Sequence, residues 1–241
     1  MSPAWFADVV DVGTQRVVDR VMANDLGIEA DQVRAPGVHL SQGADDMHQV
    51  DAIDLGDCAW VLGPEAVLDT LRSIADLPPA SVVDSALWTS LFGTLVEHTQ
   101  GPTVHAYTID EPTVADAAVV RASHEEVTAL RTAVPPAEWL ESGFGGPVGE
   151  TFALVEDGAI CAAANLTDWA DEPADVGVLV HPRARGRGLA AVVGAAATRR
   201  AVRACGRARW RAFETNRTSR GVARRLGFVE YGRGLVVRLA T

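Results

Sequence analysis

The sequence predicts an α/β (α+β) fold with a smaller α+β domain at its amino-terminal end. The chain has 241 residues, which is enough for one large domain or two small ones. Apolar residues make up 48% of it and charged residues 22%, a balance typical of a chain that buries a core. Strand-like runs alternate with stretches of helical periodicity, and Gly101-Pro102 interrupts the pattern. We therefore expect two domains, at residues 1–103 and 104–241.

The first hundred residues carry signals for helices and one strand. Residues 5–26 repeat apolar side chains with a helical period, and residues 58–63 form a short apolar run typical of a buried strand. Pro64 and Glu65 favour the start of a helix, because proline and acidic side chains are favourable in a first helical turn. Asp84 is the predicted N-cap of the next helix. Together these elements predict a small α+β unit.

The rest of the chain alternates more regularly. Residues 104–109 predict a strand, and residues 114–134 and 137–142 predict helices. Asp157-Gly158 predicts the turn of a hairpin. The other predicted elements are hairpin strands 151–155 and 159–166, strand 176–180, helix 188–204, strand 208–215, helix 218–226, and a pair of strands at 229–231 and 235–239. The predicted order is β-α-α-β-β-β-α-β-α-β-β.

Charge is unevenly distributed in this acidic protein. All 21 basic residues are arginines, and the net charge is −11. Residues 1–180 carry 30 of the 32 acidic side chains and 6 arginines, whereas residues 181–241 carry 15 arginines and two acids. The acidic majority argues against nucleic-acid binding, and the basic remainder predicts a local anionic ligand. The absence of lysine fits either a GC-rich genome or a halophile.

The sequence excludes several classes of protein. Cys58, Cys161 and Cys205 lack the spacing of a disulfide framework or a zinc site, so no metal is expected. No stretch approaches about 18 uninterrupted apolar residues, so no membrane span is expected. The first residues lack a basic segment followed by an apolar one, so the sequence predicts a cytoplasmic location.

A glycine- and arginine-rich loop between a predicted strand and a predicted helix is the most informative segment. Gly186 and Gly188 let the backbone approach a ligand closely, and the amides after them begin a helix whose positive end attracts anions. Such a loop suits a pyrophosphate, although an ordinary glycine turn before a helix is the alternative. The loop matches neither a Walker A motif nor a Rossmann fingerprint. Three arginines add positive charge to it: Arg183, Arg185 and Arg187.

Two motifs together resemble the GNAT N-acetyltransferase superfamily. Arg183, Gly186 and Gly188 match its motif A, Arg/Gln-x-x-Gly-x-Gly/Ala. Asn216, followed by a helical run and Leu-Gly-Phe at residues 226–228, matches its motif B.

The resemblance extends over residues 104–241 and implies the GNAT fold, a mixed and mostly antiparallel sheet flanked by helices. Residues 1–103 carry no such motif. They predict either an unrelated α+β domain or a degenerate copy of the same fold.

The resemblance also implies where acetyl-CoA, or another acyl-CoA, would bind. Two strands, at 176–180 and 208–215, would splay apart to admit the pantetheine arm, and a backbone N–H would polarise the thioester oxygen. The loop amides would hold the pyrophosphate, and Asn216 would bond the pantetheine. The implied cofactor residues are Val178, Leu179, Val180, Arg183, Arg185, Gly186, Arg187, Gly188, Leu189, Ala190, Asn216 and Ser219.

The implied reaction transfers an acyl group, most simply acetyl, to a primary amine of a small molecule, a protein N-terminus or a lysine. An amine with a pKa of about 10 must first lose a proton, which costs about 4 kcal/mol at pH 7. A carboxylate could accept that proton. The sequence offers Glu214 and Asp175 as catalytic candidates, with Asp168 third. Each is alternatively a solvated acid at a strand end, and Glu214 could instead pair with Arg209 or Arg211.

One departure from the family pattern leaves the activity open. Many members place a tyrosine in the motif B helix to protonate the leaving thiolate, and that position is Ala223 here. Ser219 or water could replace it, and a thiol with a pKa of about 8.5 is a tolerable leaving group. Tyr231 lies on a predicted strand and is expected to be structural. The sequence thus predicts an N-acetyltransferase, monomeric or homodimeric, or alternatively a weak or inactive acyl-CoA-binding partner protein.

Overall fold

The computed structural model describes residues 11–44, 47–114 and 118–240. It divides into two compact units. The first unit comprises Met1–His105, Phe213–Thr215 and Glu230–Thr241, and the second comprises Ala106–Ala212 and Asn216–Val229. The carboxyl-terminal strand therefore belongs to the first unit. The domain boundary expected between residues 103 and 104 stays a prediction.

The first unit is a sheet with helices packed on it. Its strands lie in the order β1-β3-β2-β10-β4, with β1 parallel to β3 and β2 antiparallel to both β3 and β10. Its core is formed by side chains such as Val61, Leu68, Trp88 and Leu235. The elements are α1 (Val12–Leu26), β1 (Gly37–Gln42), β2 (Gln49–Asp54), β3 (Cys58–Gly63), α2 (Glu65–Arg72), α3 (Ser85–Phe92), the first part of β4 (Val96–Thr108) and nearly all of β10 (Val229–Leu239).

Several predictions for the first unit are confirmed and others are corrected. Strand β3 occupies the predicted residues, and Asp84 caps α3 by accepting a hydrogen bond from the Ala86 N–H. Helix α1 begins at Val12, because the Asp11 side chain accepts a hydrogen bond from the Thr14 N–H. Pro64 is the N-cap of α2 rather than its first helical residue, so the helix begins one residue later than predicted, at Glu65. The predicted helical residues 5–10 lie outside the described part of the chain.

The second unit is also a sheet flanked by helices. Its strands lie in the order β4-β9-β8-β7-β6-β5, with β8 and β9 parallel and β5 to β8 successively antiparallel. Helix α6 packs on the sheet through small side chains such as Ala191 and Ala195, beside Trp210 and Leu226. The elements are the end of β4, β5 (Val120–Ala122), α4 (His124–Thr128), α5 (Pro136–Glu141), β6 (Thr151–Glu156), β7 (Ala159–Trp169), β8 (Glu172–Val180), α6 (Leu189–Cys205), β9 (Ala208–Phe213) and α7 (Arg217–Arg225).

These two units confirm the predicted α/β (α+β) class with a mixed, mostly antiparallel sheet flanked by helices. The hairpin of β6 and β7 is confirmed as well, and both Asp157 and Gly158 of its turn have positive φ angles. No helix in the described ranges combines the length and apolar character needed to cross a membrane.

Two predicted elements of the second half are wrong. Residues 114–134 were expected to form one helix, but β5 pairs there with β6, and α4 begins only where Ser123 and Glu126 form a reciprocal capping box. The expected pair of strands at 229–231 and 235–239 is the single strand β10. Gly232 and Gly234 lie between the two predicted strands, and both are extended positions of β10 where neighbouring atoms leave no room for a Cβ.

Candidate functional site

A cleft of about 560 Å³ lies along β8 in the second unit. Five elements of the chain form its walls. They are β8 with the loop that follows it, the first turn of α6, β9, the start of α7, and α5. The cleft therefore lies where the sequence placed the strand, the glycine loop and Asn216.

The cleft exists because β8 and β9 separate. The two parallel strands pair at Asp175 with Arg209 and at Val176 with Trp210. Strand β8 then continues to Val180, paired on its other side with β7, and its residues 177–180 line the cleft. Backbone N–H and C=O groups on the open edge of β8 can therefore bond a ligand. This is the splayed arrangement that the resemblance implied.

The glycine loop after β8 leads directly into the N-terminus of α6. Gly186 and Gly188 both have a φ of 77°, in the left-handed region that glycine adopts without strain. Gly188 is the N-cap of the 17-residue helix α6, and no side chain caps the helix there. Leu189 and Ala190 of its first turn line the cleft. Exposed N–H groups at a positive helix end form a site that fits an anion such as pyrophosphate.

The three loop arginines are not equivalent. Arg185 lines the cleft, bonds the Val180 carbonyl and forms an ion pair of 2.5 Å with Glu138. Arg187 forms a bidentate pair with Glu156, at 2.7 and 2.6 Å. Arg183 is exposed and is not among the residues that line the cleft. Ion pairs within the protein thus neutralise much of the charge that the sequence assigned to the loop.

A further arginine lies beside the loop. Nη1 of Arg225, at the end of α7, lies 3.8 Å from the position that a Cβ on Gly188 would take. No motif in the sequence marks this residue. The available signal was the spacing of Arg217, Arg220 and Arg224–Arg225 along the α7 helix, three to four residues apart.

Asn216 and Ser219 are joined in a hydrogen-bond network on the α7 side of the cleft. The Asn216 Oδ1 accepts a bond of 3.0 Å from the Ser219 N–H, which caps α7. Its Nδ2 donates to Glu141 Oε1 at 2.9 Å. Trp210 Nε1 donates to the Ser219 hydroxyl at 2.9 Å. All four side chains line the cleft.

Asp175 is a buried carboxylate that forms ion pairs with two arginines. It is 5% exposed, and it bonds Arg209 at 3.0 and 2.9 Å and Arg211 at 3.0 and 2.7 Å. Burial alone would raise the pKa of its carboxyl, but the two guanidinium groups outweigh burial and hold that pKa well below its usual range. A carboxylate held in this way is a poor proton acceptor, and Asp175 does not line the cleft.

The other two sequence candidates also lie outside the cleft lining. Glu214 belongs to the first unit, where its N–H bonds the Pro102 carbonyl and its carboxylate lies 3.5 Å from Arg233. Asp168 is exposed beside a bulge in the pairing of β7 with β8. Two acids that the sequence analysis missed, Glu138 and Glu141 of α5, do line the cleft.

Residues 92–229 match a family model described as an acetyltransferase (GNAT) domain. This match covers more than half of the sequence. The chain belongs to the GNAT acetyltransferase family. The matched region contains both motifs, and it includes the whole of the cleft lining.

Solved structures with a similar chain trace also carry GNAT descriptions. A putative GNAT acetyltransferase from Novosphingobium aromaticivorans is 21% identical, with a TM-score of 0.49 over 61% of this chain and 67% of that chain. A GNAT acetyltransferase from Colwellia psychrerythraea is 20% identical, with a TM-score of 0.45 over 64% and 62%. A GCN5-related N-acetyltransferase-like protein from Streptococcus suis is 14% identical, with a TM-score of 0.46 over 79% and 84%. No curated protein matches the sequence.

Within this GNAT domain, the position implied for a tyrosine is filled by Ala223, which is buried in the core. Tyr231 is fully buried in the first unit, and its hydroxyl donates to the Asp19 carboxylate. The structure therefore gives Tyr231 a structural environment. Among the described residues, no group of three or more His, Cys, Asp or Glu side chains could hold a metal.

Proposed function

We propose that the protein is an acyl-CoA-dependent N-acyltransferase that transfers acetyl to a primary amine. The observation that carries this proposal is the opening between β8 and β9 beside an uncapped helix N-terminus. An extended arm ending in a thioester fits the opening, and a pyrophosphate fits the helix end. The family assignment supports acyl transfer in general.

The cofactor would be held chiefly by backbone groups. The open edge of β8 at Val178, Leu179 and Val180 would bond the pantetheine arm, and an N–H of this strand would polarise the thioester oxygen. The amides of residues 186–190 would bind the pyrophosphate. Arg225 is close enough to Gly188 to add positive charge there, since it is exposed and lies beside the loop.

Ser219 is suited to act on the leaving sulfur. Its oxygen accepts the Trp210 N–H at 2.9 Å, so its own O–H proton is directed elsewhere. Since Ser219 lines the cleft, this proton can be donated to the thiolate as the C–S bond breaks. In this arrangement Ser219 takes the role that a tyrosine at position 223 has in many members of the family.

The acceptor is proposed only as a class. A small amine, a protein N-terminus or a lysine all offer the nitrogen that the reaction needs. A cytoplasmic location and a monomeric or homodimeric state stay predictions.

A second candidate function is acyl-CoA binding without transfer. The observation that favours it is Ala223, because a buried methyl group cannot protonate a thiolate. Such a protein would keep the cleft and the loop but release no free thiol.

Two measurements test the proposal. Calorimetric titration with acetyl-CoA is expected to show binding, and the absence of heat at millimolar cofactor would contradict both candidates. Thiol release is then followed with a panel of amino acids, polyamines, aminoglycosides and basic peptides. Release above the rate with water supports transfer, whereas tight binding with no release across the panel supports the second candidate.

A further inference from the structure

The acidic side chains that line the cleft come from α5, a helix that the sequence analysis did not connect with the chemistry. We propose that Glu141, at the end of this helix, accepts the proton that the amine loses before it attacks the thioester. This inference rests on the proposed acyl transfer. It replaces Glu214, Asp175 and Asp168, none of which lines the cleft.

The packing of α5 explains why two of its acids face the cleft. Trp139 is buried and packs against Phe144 with ring centroids 5.5 Å apart, which fixes one side of the helix on the core. Glu138 and Glu141 are three residues apart, so they lie on one face of the helix. Both line the cleft.

The end of α5 is anchored to β8 at the point where the strands part. The Ser142 carbonyl accepts a hydrogen bond of 3.0 Å from the buried Asn165 side chain. That carbonyl lies against Gly177, where it would overlap with a Cβ. Gly177 directly follows Val176, the last residue of β8 that pairs with β9. Glu141 is therefore held beside the start of the opening, where the backbone of β8 becomes available to the thioester.

The hydrogen bond to Asn216 orients the Glu141 carboxylate. Asn216 Oδ1 accepts the Ser219 N–H, so its Nδ2 must be the atom that donates to Glu141 Oε1, at 2.9 Å. The bond therefore positions the carboxylate on the α7 side of the cleft.

Glu138 is a natural comparison on the same helix face. Its carboxylate forms an ion pair of 2.5 Å with Arg185, whose Nε also bonds the Val180 carbonyl. This pairing holds Glu138 near Val180, toward the far end of β8, whereas Glu141 lies beside Gly177, where the opening begins. Of the two acids on this face, the position along the cleft thus favours Glu141 for proton transfer.

Glu141 takes one proton from the ammonium group of the acceptor, and the freed nitrogen lone pair forms a bond to the thioester carbonyl carbon. The C–S bond then breaks, and the sulfur takes a proton from Ser219 while the nitrogen gives its second proton to that hydroxyl. Glu141 releases its proton to solvent, so the products are the amide, free CoA thiol and one proton.

The test compares Glu141→Gln with Glu125→Gln, a change of an exposed acid on α4 outside the cleft lining, in thiol release from acetyl-CoA. Glutamine keeps an oxygen that can accept the Asn216 N–H, so the local structure is preserved. At pH 7, Glu141→Gln is expected to lower kcat about 100-fold or more, with the KM for acetyl-CoA unchanged. The deficit should shrink as the pH approaches the amine pKa of about 10, because free amine needs no base. Glu125→Gln is expected to retain most of kcat.

Two results would overturn the assignment. One is a Glu141→Gln rate equal to that of the Glu125→Gln variant at every pH. The other is a deficit that does not change with pH and that Glu141→Asp fails to relieve, which would indicate a structural role. Acetyl-CoA binding and thermal unfolding of each variant show whether the cleft is intact. Transfer by the wild-type protein alongside either result leaves the proposed function standing, whereas a wild type that binds no acetyl-CoA refutes both.

Discussion

Asp175 shows how a residue that resembles a catalytic acid can be a structural one. Its position at the start of β8 made it a candidate base, and only the fold reveals that Arg209 and Arg211 of β9 both bond it. The two strands pair where these charges meet and part immediately after. We infer that the ion pair holds β8 and β9 together at the closed end of the cleft.

We predict that Asp175→Asn destabilises the protein by about 3–5 kcal/mol at pH 7, because it leaves buried guanidinium charge without a carboxylate. The pKa of Asp175 is lower in the folded state than in the unfolded one, so its contribution is present above about pH 4 and declines as the pH falls further. Denaturant unfolding of the wild type and the variant across this range measures both effects.

The matched control is Asp168→Asn on the neighbouring strand, an exposed acid for which a change within about 0.5 kcal/mol is expected. Equal stability of Asp175→Asn and wild type at neutral pH would contradict the structural role.

A substitution at Gly186, again a single residue, tests whether the glycine loop binds acetyl-CoA. Its φ of 77° is one that alanine adopts only with strain of about 1–2 kcal/mol. We predict that Gly186→Ala weakens acetyl-CoA binding at least 10-fold, since the amides must shift away from the pyrophosphate. Calorimetric titration measures the change.

Gly206 provides the control, because it caps the other end of α6 with a φ of 74°. Gly206→Ala carries the same strain but is expected to leave acetyl-CoA affinity unchanged. Equal loss in both variants would mean that the effect is on folding rather than on the loop.

At the scale of elements, the placement of α5 on β8 decides the shape of the cleft. Gly177 is required because the Ser142 carbonyl lies where its Cβ would be. We predict that Gly177→Ala displaces the end of α5, costs about 1–3 kcal/mol of unfolding free energy, and lowers transfer more than acetyl-CoA binding. Chemical denaturation and thiol release measure these quantities.

Gly146, in the loop after α5, is the control because a Cβ there meets nothing within 4 Å. Gly146→Ala is expected to behave as wild type. A Gly177→Ala variant with unchanged transfer would show that the position of α5 does not matter to the reaction.

The elements also differ in how well the sequence alone predicted them. Helix α6 and strands β3 and β8 have strong local patterns, and the predicted segments agree with them within a few residues. Strand β5 was not predicted because a segment of three residues is too short to show a period. Its extended form depends on pairing with β6. Likewise β10 was predicted as two strands, because nothing local shows that neighbouring atoms closely approach Gly232 and Gly234, which lie between them.

At the scale of the whole molecule, the carboxyl-terminal strand belongs to the first unit. Strand β10 pairs with β2 from Arg233 to Arg238 and gives Leu235 and Val237 to the core of that unit. The two residues are buried there beside Val61 and Trp88. A division of the chain at residue 103 would therefore expose both apolar side chains.

We predict that a fragment of residues 104–241 aggregates or remains partly unfolded, since its last strand lacks β2 and exposes an apolar face. Size-exclusion chromatography and circular dichroism of the fragment and the full chain provide the comparison. A monodisperse fragment with the full helical signal would show instead that residues 104–241 form a domain on their own.

The sequence by itself determined the α/β class, the glycine loop, Asn216 and the family, because these depend on local periodicity and on short motifs whose residue types must be adjacent. It also determined that the basic arginines concentrate after residue 180. It could not show which arginines remain unneutralised, because Arg187 pairs with Glu156, 31 residues earlier in the chain.

The tertiary structure alone decided which acids reach the cleft. Glu141 and Asn216 are 75 residues apart, and Asp175 and Arg209 are 34 apart, so no local pattern links either pair. Side-chain contacts at such separations follow from strand order and helix packing. Both depend on how all parts of the core pack together. For that reason the glycine loop was predictable, whereas the acids that line the cleft were not.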